Sequence, residues 1–217
     1  PKDIIIPLKN IISREKMNSV DIAFDQISDI VGKDNFIQNE ETLSFYSTDV
    51  FVSSKEKPLA VVRPNDSYEL IKIVQACIAN NVSLIVRGGG ASYTGGYLPI
   101  NSNTIIIDSQ NLKKIEINEE DMYVTVEPGV TWLELYEALS PLGLRTPFWG
   151  PFSGRVATIA GSMSFHALSH GTNNAVSADS LSSLQVIIGT GEVIETGSQG
   201  ANENSSRFFR HYGPDIG

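Results

Sequence analysis

A dense run of glycines is the feature of this sequence with the clearest chemical meaning. Five glycines fall within the ten residues from Arg87 to Gly96. So much backbone freedom is costly to fix, and it indicates either tight turns or a backbone that must approach a ligand without β-carbons in the way. Successive backbone N–H groups in such a loop can bind an anion. The loop alone fits an anion cradle and a surface hairpin about equally well.

Three well-known glycine motifs do not fit this loop. A dinucleotide-binding G-x-G-x-x-G pattern would need glycine where Tyr93 stands, and a Walker P-loop would need lysine at Gly96. A nucleophile elbow, G-x-S-x-G, would need glycine at Thr94. The loop is therefore neither a nicotinamide-type Rossmann fingerprint nor a Walker motif.

Histidine and cysteine offer little metal or nucleophile chemistry. His166 and His170 are four residues apart, which suits a metal pair on one helix face. Ala167 follows His166, so the H-E-x-x-H motif is absent and no third ligand stands nearby. We expect no metal site. The single cysteine, Cys77, excludes a disulfide framework, and its place on an apolar stripe predicts a core residue.

Charge narrows the classes of partner. The chain has 16 Lys and Arg residues against 25 Asp and Glu residues, a net charge of −9, and a pI near 4.8. Nucleic acids and anionic membrane surfaces are therefore excluded as expected partners. An acidic chain that holds an anion must use backbone amides, since dipoles carry no net charge. No apolar run approaches the ~18 residues of a membrane span, and we expect a cytoplasmic protein.

The glycine loop follows a strand–helix–strand unit. A chain of 217 residues suits one large domain or two smaller subdomains. Strands are predicted at 59–62, 84–86 and 104–107, and the helix between the first two carries an apolar stripe. That stripe consists of Leu70, Ile71, Val74, Cys77 and Ile78.

The segments before residue 58 are less regular. A helix at 18–32 is predicted to bury Ile22, Ile27, Ile30 and Val31. Residues 33–57 have no clear period, and residues 1–16 look like an arm that packs on another surface.

The second half starts a new unit. A strand at 122–126 runs into the turn Glu127–Val130, and Thr131 caps the helix that follows. Residues 145–155 are predicted to be a loop, and 158–168 a small-residue helix. Residues 185–188 and 192–195 form a predicted hairpin.

The order of these motifs resembles a flavin-binding domain. It is shared by vanillyl-alcohol oxidase, p-cresol methylhydroxylase (PCMH) and the FAD-linked D-lactate and glycolate dehydrogenases. The matching motifs are the strand ending in Pro64, R-G-G-G-x-S at 87–92, E-P-G-V at 127–130, T-I-x-G at 158–161, His170-Gly171, the hairpin and Y-G-P-D at 212–215.

The resemblance covers roughly residues 40–217 and implies an α+β fold, a PCMH-type FAD-binding domain made of two α/β subdomains. The expected division is an N-terminal arm and helix at 1–57, then the FAD-binding domain at 58–217. Its subdomains are expected at about 58–117 and 118–217.

In this family the glycine loop holds the FAD pyrophosphate through backbone N–H groups. Arg87 would either orient the loop or form a structural salt bridge. The resemblance implies that FAD contacts the residues of the matched motifs and their neighbours: Pro64, Arg87, Gly88, Gly89, Gly90, Ala91, Ser92, Tyr93, Gly95, Gly96, Pro128, Gly129, Val130, Pro151, Thr158, Gly161, Ser162, His170, Gly171 and Ile194.

The sequence departs from the family in two places. Several members attach FAD covalently through a histidine after the third glycine, where this chain has Ala91. A methyl group cannot form that bond, so non-covalent FAD is expected. Ala160 replaces one glycine of the T-I-G-G element.

The resemblance implies an FAD-dependent oxidoreductase acting on CH–OH donors. A 2-hydroxy acid or related alcohol would pass hydride to flavin N5, and an unidentified acceptor would then take the electrons. Catalytic residues are not identified, because relatives carry them mostly in a cap domain expected beyond Gly217. A non-catalytic FAD-binding subunit and a flavin-free scaffold stay open as alternatives, and so does a homo-oligomer.

Overall fold

The computed structural model describes residues 19–166 and 180–197. The expectations for the N-terminal arm, for His170 and Gly171, and for the Y-G-P-D segment lie outside these residues. So does the end of the helix expected at 158–168.

A four-stranded sheet organises the first half of the chain. Its strands are β1 (Phe36–Ile37), β2 (Ala60–Val62), β3 (Ser83–Arg87) and β4 (Thr104–Asp108). Their spatial order is β1-β2-β4-β3, with β2 and β3 parallel to β4 and β1 antiparallel to β2. Every residue of β4 is buried, which explains its continuous apolar run Ile105–Ile107. The predicted strand–helix–strand unit is present, with β4 inserted between its two strands.

Two helices cover one face of this sheet. They are α1 (Ser19–Val31) and α3 (Ser67–Ala79), and they bury Ile27, Ile73 and Cys77 against alternate residues of β2 and β4. Asp66 begins α3 by accepting the backbone N–H of Glu69 at 2.8 Å.

The buried stripe of each helix is shifted from the predicted one. Ile22 and Ile78 are exposed at 38% and 42%, whereas Ala23 and Ala76 are buried. Alanine faces the neighbouring elements because the two helices pack against each other there and the sheet leaves little room. The placement of Ile22 and Ile78 on the buried stripes was wrong.

The opposite face of the sheet is covered by α2 (Glu40–Tyr46), a helix that the sequence did not predict. The Asn39 side chain caps it by accepting the N–H of Thr42 at 2.9 Å. Two turns are too few to show a helical period. Leu43 and Tyr46 pack on residues of β2 and β4 that face away from α3. Because α1, β1 and α2 share the cores of the sheet, the division expected at residue 57 does not separate two cores.

The second half packs around its own core. Here β5 (Ile115–Asn118) pairs antiparallel with β6 (Tyr123–Val126), and α4 (Trp132–Leu139) and α5 (Ile159–Ser164) pack with them. The sequence reading missed β5, although Ile115 and Ile117 alternate with polar residues. Since β5 packs in this second cluster, the expected boundary near residue 117 falls inside a strand of the second half. The predicted α4 and its Thr131 cap are confirmed.

The predicted hairpin is present as β7 (Gln185–Ile187) and β8 (Val193–Glu195). Its turn reaches the first half, where the Gln75 amide on α3 lies 3.5 Å from the carbonyl oxygen of Gly191. None of the helices in the described ranges is long and apolar enough to cross a membrane.

Candidate functional site

The parallel strands of the first sheet deliver charged side chains to one edge. Arg63 follows β2, Arg87 ends β3 and Asp108 ends β4. Because these strands run the same way, their carboxyl ends meet at the same edge, where open α/β sheets bind ligands. The glycine loop leaves the sheet at this edge, directly after β3.

The backbone of the glycine loop has unused hydrogen-bond donors. The N–H groups from Gly88 to Ser92 donate to no acceptor within the described part of the chain. Several successive N–H groups without protein partners are what an anion-binding backbone requires.

The first two glycines of the loop are packed against the second half. A β-carbon at Gly88 would lie 2.5 Å from Thr158 Oγ1, and one at Gly89 would lie 1.5 Å from the carbonyl oxygen of Val156. The absence of side chains at 88 and 89 therefore lets the loop touch residues 156–158. Packing against residues 156–158 is thus a requirement for glycine at residue 89 that is separate from the approach of a ligand.

Arg87 lies among aromatic rings and forms no ion pair with a described carboxylate. Its guanidinium carbon lies 4.5 Å from the ring centre of Tyr46, 5.3 Å from that of Tyr97 and 5.4 Å from that of Phe45. Such cation–π contacts fix an arginine by dispersion and electrostatics. No structural salt bridge to Arg87 forms within the described residues, and the ring contacts favour its role in orienting the loop. Its Nε is buried without a hydrogen-bond partner.

Two side chains tie the far end of the loop to the first half. The Tyr97 hydroxyl donates to the carbonyl oxygen of Gly90 at 2.9 Å. The N–H of Gly95 donates to Asp49 Oδ2 at 2.6 Å. The Asp49 carboxylate also accepts the N–H groups of Val52 and Phe51, and these hydrogen bonds, that from Val52 foremost, lower its pKa. Tyr97 thus restrains the loop at Gly90, and Asp49 restrains it at Gly95. Tyr93 is 66% exposed at its tip.

The E-P-G-V turn lies against the same edge. A β-carbon at Gly129 would come within 2.0 Å of the carbonyl oxygen of Ser109, and the Gly129 N–H donates to Leu112 at 2.9 Å. Ser109 Oγ lies 3.4 Å from the carbonyl oxygen of Arg87 and 3.5 Å from that of Pro128. Ser109 therefore bridges the glycine loop and the turn.

The start of α5 completes the arrangement. Its first turn is capped by Thr158, whose Oγ1 accepts the Gly161 N–H at 3.1 Å, and the Ile159 N–H donates to Val130 at 2.9 Å. Ser162 is buried, accepts the indole N–H of Trp132 at 2.9 Å and donates to the Thr158 carbonyl at 3.0 Å. Ser162 thus has protein partners, and its direct contact with FAD stays a prediction.

The remaining predicted residues are spread more widely. Pro64 is buried after β2, and Pro151 lines a half-open apolar cavity of about 330 Å³ beside α4. Ile194 is 42% exposed on β8. No hydrogen bond in the described ranges joins Pro151 or Ile194 to the glycine loop. His170 and Gly171 lie outside those ranges, and within them no three His, Cys, Asp or Glu side chains cluster as a metal site.

Sequence reasoning missed a polar cluster beneath the loop. Tyr46 donates its hydroxyl to Asp108 Oδ2, and Arg63 Nε donates to the same carboxylate at 3.1 Å. Arg63 Nη2 also lies 3.2 Å from the Tyr46 hydroxyl. Burial, followed by the bond to Asp108, raises the pKa of Tyr46. The available signal was a charged residue at the end of each of three successive strands.

These residues fit the diphosphate of a dinucleotide. The loop offers successive N–H groups, and the side chain of Arg87 lies under it. Backbone dipoles can hold an anion without a basic patch, which suits a chain with net charge −9.

Comparisons with known proteins agree with this geometry. Residues 58–197 match a family described as an FAD binding domain. Over 180 residues the chain is 28% identical to the glycolate oxidase subunit GlcD of Bacillus subtilis, covering 82% of this chain and 38% of the relative. Over 148 residues it is 35% identical to the mitochondrial D-lactate dehydrogenase (cytochrome) of Arabidopsis thaliana, covering 65% of this chain and 25% of the relative.

A solved structure shows the same fold. The structure of p-cresol methylhydroxylase with substrate bound superposes with a TM-score of 0.79 at 20% identity, over 92% of this chain and 40% of that one. The predicted α+β fold, a PCMH-type FAD-binding domain, is confirmed. The chain spans well under half the length of the curated relatives named here.

Proposed function

Since the chain belongs to the family of FAD-binding domains, we propose that the loop from Arg87 to Gly96 holds the pyrophosphate of FAD through its backbone N–H groups. The observation that carries this proposal is the set of N–H groups from Gly88 to Ser92 that donate to no described acceptor. A bound pyrophosphate would satisfy them, and buried or partly buried donors favour a partner.

Each neighbour of the loop has a part in this proposal. Arg87 holds Gly90 and adds a positive charge beneath the phosphates. The turn at Pro128–Val130 and the first turn of α5 at Thr158–Gly161 form the opposite wall, because both contact the loop or its bridge, Ser109. The contributions of Pro151, Ser162, His170, Gly171 and Ile194 stay proposals from the family resemblance.

The reaction of the whole protein is a second layer of the proposal. Bound FAD would supply two-electron redox chemistry, and the substrate would be a 2-hydroxy acid or related alcohol. The names of the relatives support this class, since they are a glycolate oxidase subunit and a D-lactate dehydrogenase. We place the substrate-binding residues in a cap domain outside the described residues. The proposal also includes an electron acceptor of unidentified class, a cytoplasmic location and a homo-oligomer.

We propose that FAD is bound without a covalent link. Ala91 stands where a histidine would be needed, and Cys77 lies in the core of the first half, on α3. Acid precipitation of the holoprotein should leave the flavin in the supernatant. Yellow colour that stays with the washed pellet would contradict non-covalent binding.

Titration with FAD tests the proposed cofactor. Flavin fluorescence should be quenched in a saturable way, and FAD should raise the unfolding temperature because ligand binds the native state. Riboflavin, which lacks the pyrophosphate, is the matched control and should bind much more weakly. Equal affinity for riboflavin and FAD would overturn the role of the loop, and no binding of either would favour a flavin-free scaffold.

Turnover tests the proposed reaction. The full-length holoprotein, with the proposed cap domain, should reduce a dye acceptor in the presence of D-lactate or glycolate. FAD binding without turnover of any hydroxy acid would favour the alternative, a non-catalytic FAD-binding subunit.

A further inference from the structure

A buried charged cluster lies directly beneath the proposed cofactor loop. Asp108 is 1% exposed, and its Oδ2 accepts hydrogen bonds from the Tyr46 hydroxyl and from Arg63 Nε, the latter at 3.1 Å. These three residues come from α2, the end of β2 and the end of β4. The cluster therefore fixes the end of β4 from two directions.

The same carboxylate shapes the chain that leaves the sheet. Asp108 Oδ1 accepts the N–H of Gln110 at 3.2 Å, which bends residues 108–111 into a single helical turn. That turn places the Ser109 hydroxyl between the carbonyl oxygens of Arg87 and Pro128, at 3.4 and 3.5 Å. Ser109 is itself 2% exposed, so water does not substitute easily for these contacts.

We propose that Tyr46, Arg63 and Asp108 are positioning residues that act through Ser109 to set the spacing between the two backbone segments that hold FAD. This inference rests on the proposed function, since it concerns the same glycine loop and the same E-P-G-V turn. Tyr46, Asp108 and Ser109 lie outside the matched glycine and proline motifs, and Arg63 directly precedes Pro64.

Burial gives this cluster its precision. A charged group removed from water must be held by good hydrogen bonds, so Asp108 has few alternative positions that satisfy it. Because Ser109 is the next residue after Asp108, fixing the Asp108 carboxylate also fixes the position of Ser109. A shift there would move the Arg87 carbonyl relative to Pro128, and with it the N–H groups that we propose hold the pyrophosphate.

Two conservative variants test the chain of contacts. Tyr46→Phe removes the hydroxyl but keeps the ring that faces Arg87, and Ser109→Ala removes the bridge to both carbonyl groups. Each should weaken FAD binding by about tenfold, the size of one lost hydrogen bond in a buried network. Tyr68→Phe is the control, since Tyr68 is 63% exposed on α3, and its FAD affinity should not change.

The double variant separates a shared path from two independent losses. If Tyr46 acts through Ser109, the combined loss of affinity should fall well short of the hundredfold product, because the second change removes a contact already disabled. The induced visible circular dichroism of flavin at saturating FAD should also change in Tyr46→Phe and Ser109→Ala. A merely structural role would lower the unfolding temperature and leave that spectrum unaltered.

The outcomes are distinct. Wild-type affinity and spectrum in both variants, or losses that multiply fully, would overturn the positioning role while FAD binding stands. Failure of the unaltered protein to bind FAD would overturn the proposed function itself.

Discussion

The guanidinium of Arg87 lies against the backbone of Gly90, so close that a β-carbon at residue 90 would come within 2.0 Å of Nη2. Gly90 has a φ of +68°, which L-residues with side chains rarely adopt. The backbone conformation therefore favours glycine at residue 90, and any side chain there would also have to displace the guanidinium of Arg87. The contact between Arg87 and Gly90 thus orders a loop that has few side chains of its own to hold it.

Gly90→Ala should weaken FAD binding and lower the unfolding temperature. The added methyl group would push the guanidinium away from the loop, in addition to straining the backbone. Gly32→Ala is the matched control, since Gly32 has a φ of +77° with nothing within 4 Å of a β-carbon. Because Gly32 also has a ψ of 159°, a combination adopted essentially only by glycine, Gly32→Ala should cost about 1–3 kcal/mol of stability from strain alone and leave FAD affinity unchanged. Equal FAD affinity in both variants would show that the contact between Arg87 and Gly90 does not order the loop for FAD binding.

Gly89→Ala should lower stability as well as FAD affinity. Even one methyl group at residue 89 would collide with the backbone of Val156, since a β-carbon there would lie 1.5 Å from the carbonyl oxygen. Gly96→Ala in the same loop is the control, since its nearest atom is Thr94 Oγ1 at 3.8 Å. Thermal unfolding of the two apoproteins should separate them clearly.

The Asp49 carboxylate should make the loop sensitive to acid. Its pKa in the folded protein is lowered, first by the N–H of Val52 and then by those of Phe51 and Gly95. A lowered folded pKa means that this stabilisation is present above the unfolded value, near 3.8, and is lost as the pH falls through the folded value. The difference in unfolding temperature between the unaltered protein and Asp49→Asn should therefore shrink from pH ~6 to pH ~3. A difference that is constant over this range would contradict the role of Asp49.

Cys77 should be unreactive in the folded protein. Burial raises the pKa of its thiol to about 12, so the reactive thiolate is scarce at neutral pH. A thiol reagent should label it slowly in buffer and rapidly in guanidinium chloride. Fast labelling of the native protein would show that the thiol is accessible, and would reopen Cys77 as an attachment point for flavin.

Much of the first half followed from the sequence because its signals are local. The Thr131 cap of α4 in the second half, like the apolar runs of β2, β3 and β4 in the first, lies within a few residues. Where the reading failed, the deciding partner was distant. Ile78 was expected to be buried but is exposed, whereas Ala76 is buried. The reason is that α1 packs beside Ala76 and leaves no room for a larger side chain.

The site divides in the same way. The glycine loop, its place after a parallel strand and its N–H groups could be predicted, since they depend on consecutive residues. The cluster of Tyr46, Arg63 and Asp108 could not, because Tyr46 and Asp108 are separated by 62 positions and meet only when the sheet forms.

The sequence by itself determined the glycine-rich backbone and the acidity, and together these favoured amides over basic side chains as ligands for an anion. Only the tertiary structure decided why particular glycines are required. Side chains at residues 88 and 89 would collide with Thr158 and Val156, and one at residue 90 would meet the Arg87 guanidinium. The physical reason is that glycine has no side chain, so its identity does not reveal which neighbouring residue occupies the space beside it. What fills its space is set by packing between segments about 70 residues apart, here the loop and residues 156–158.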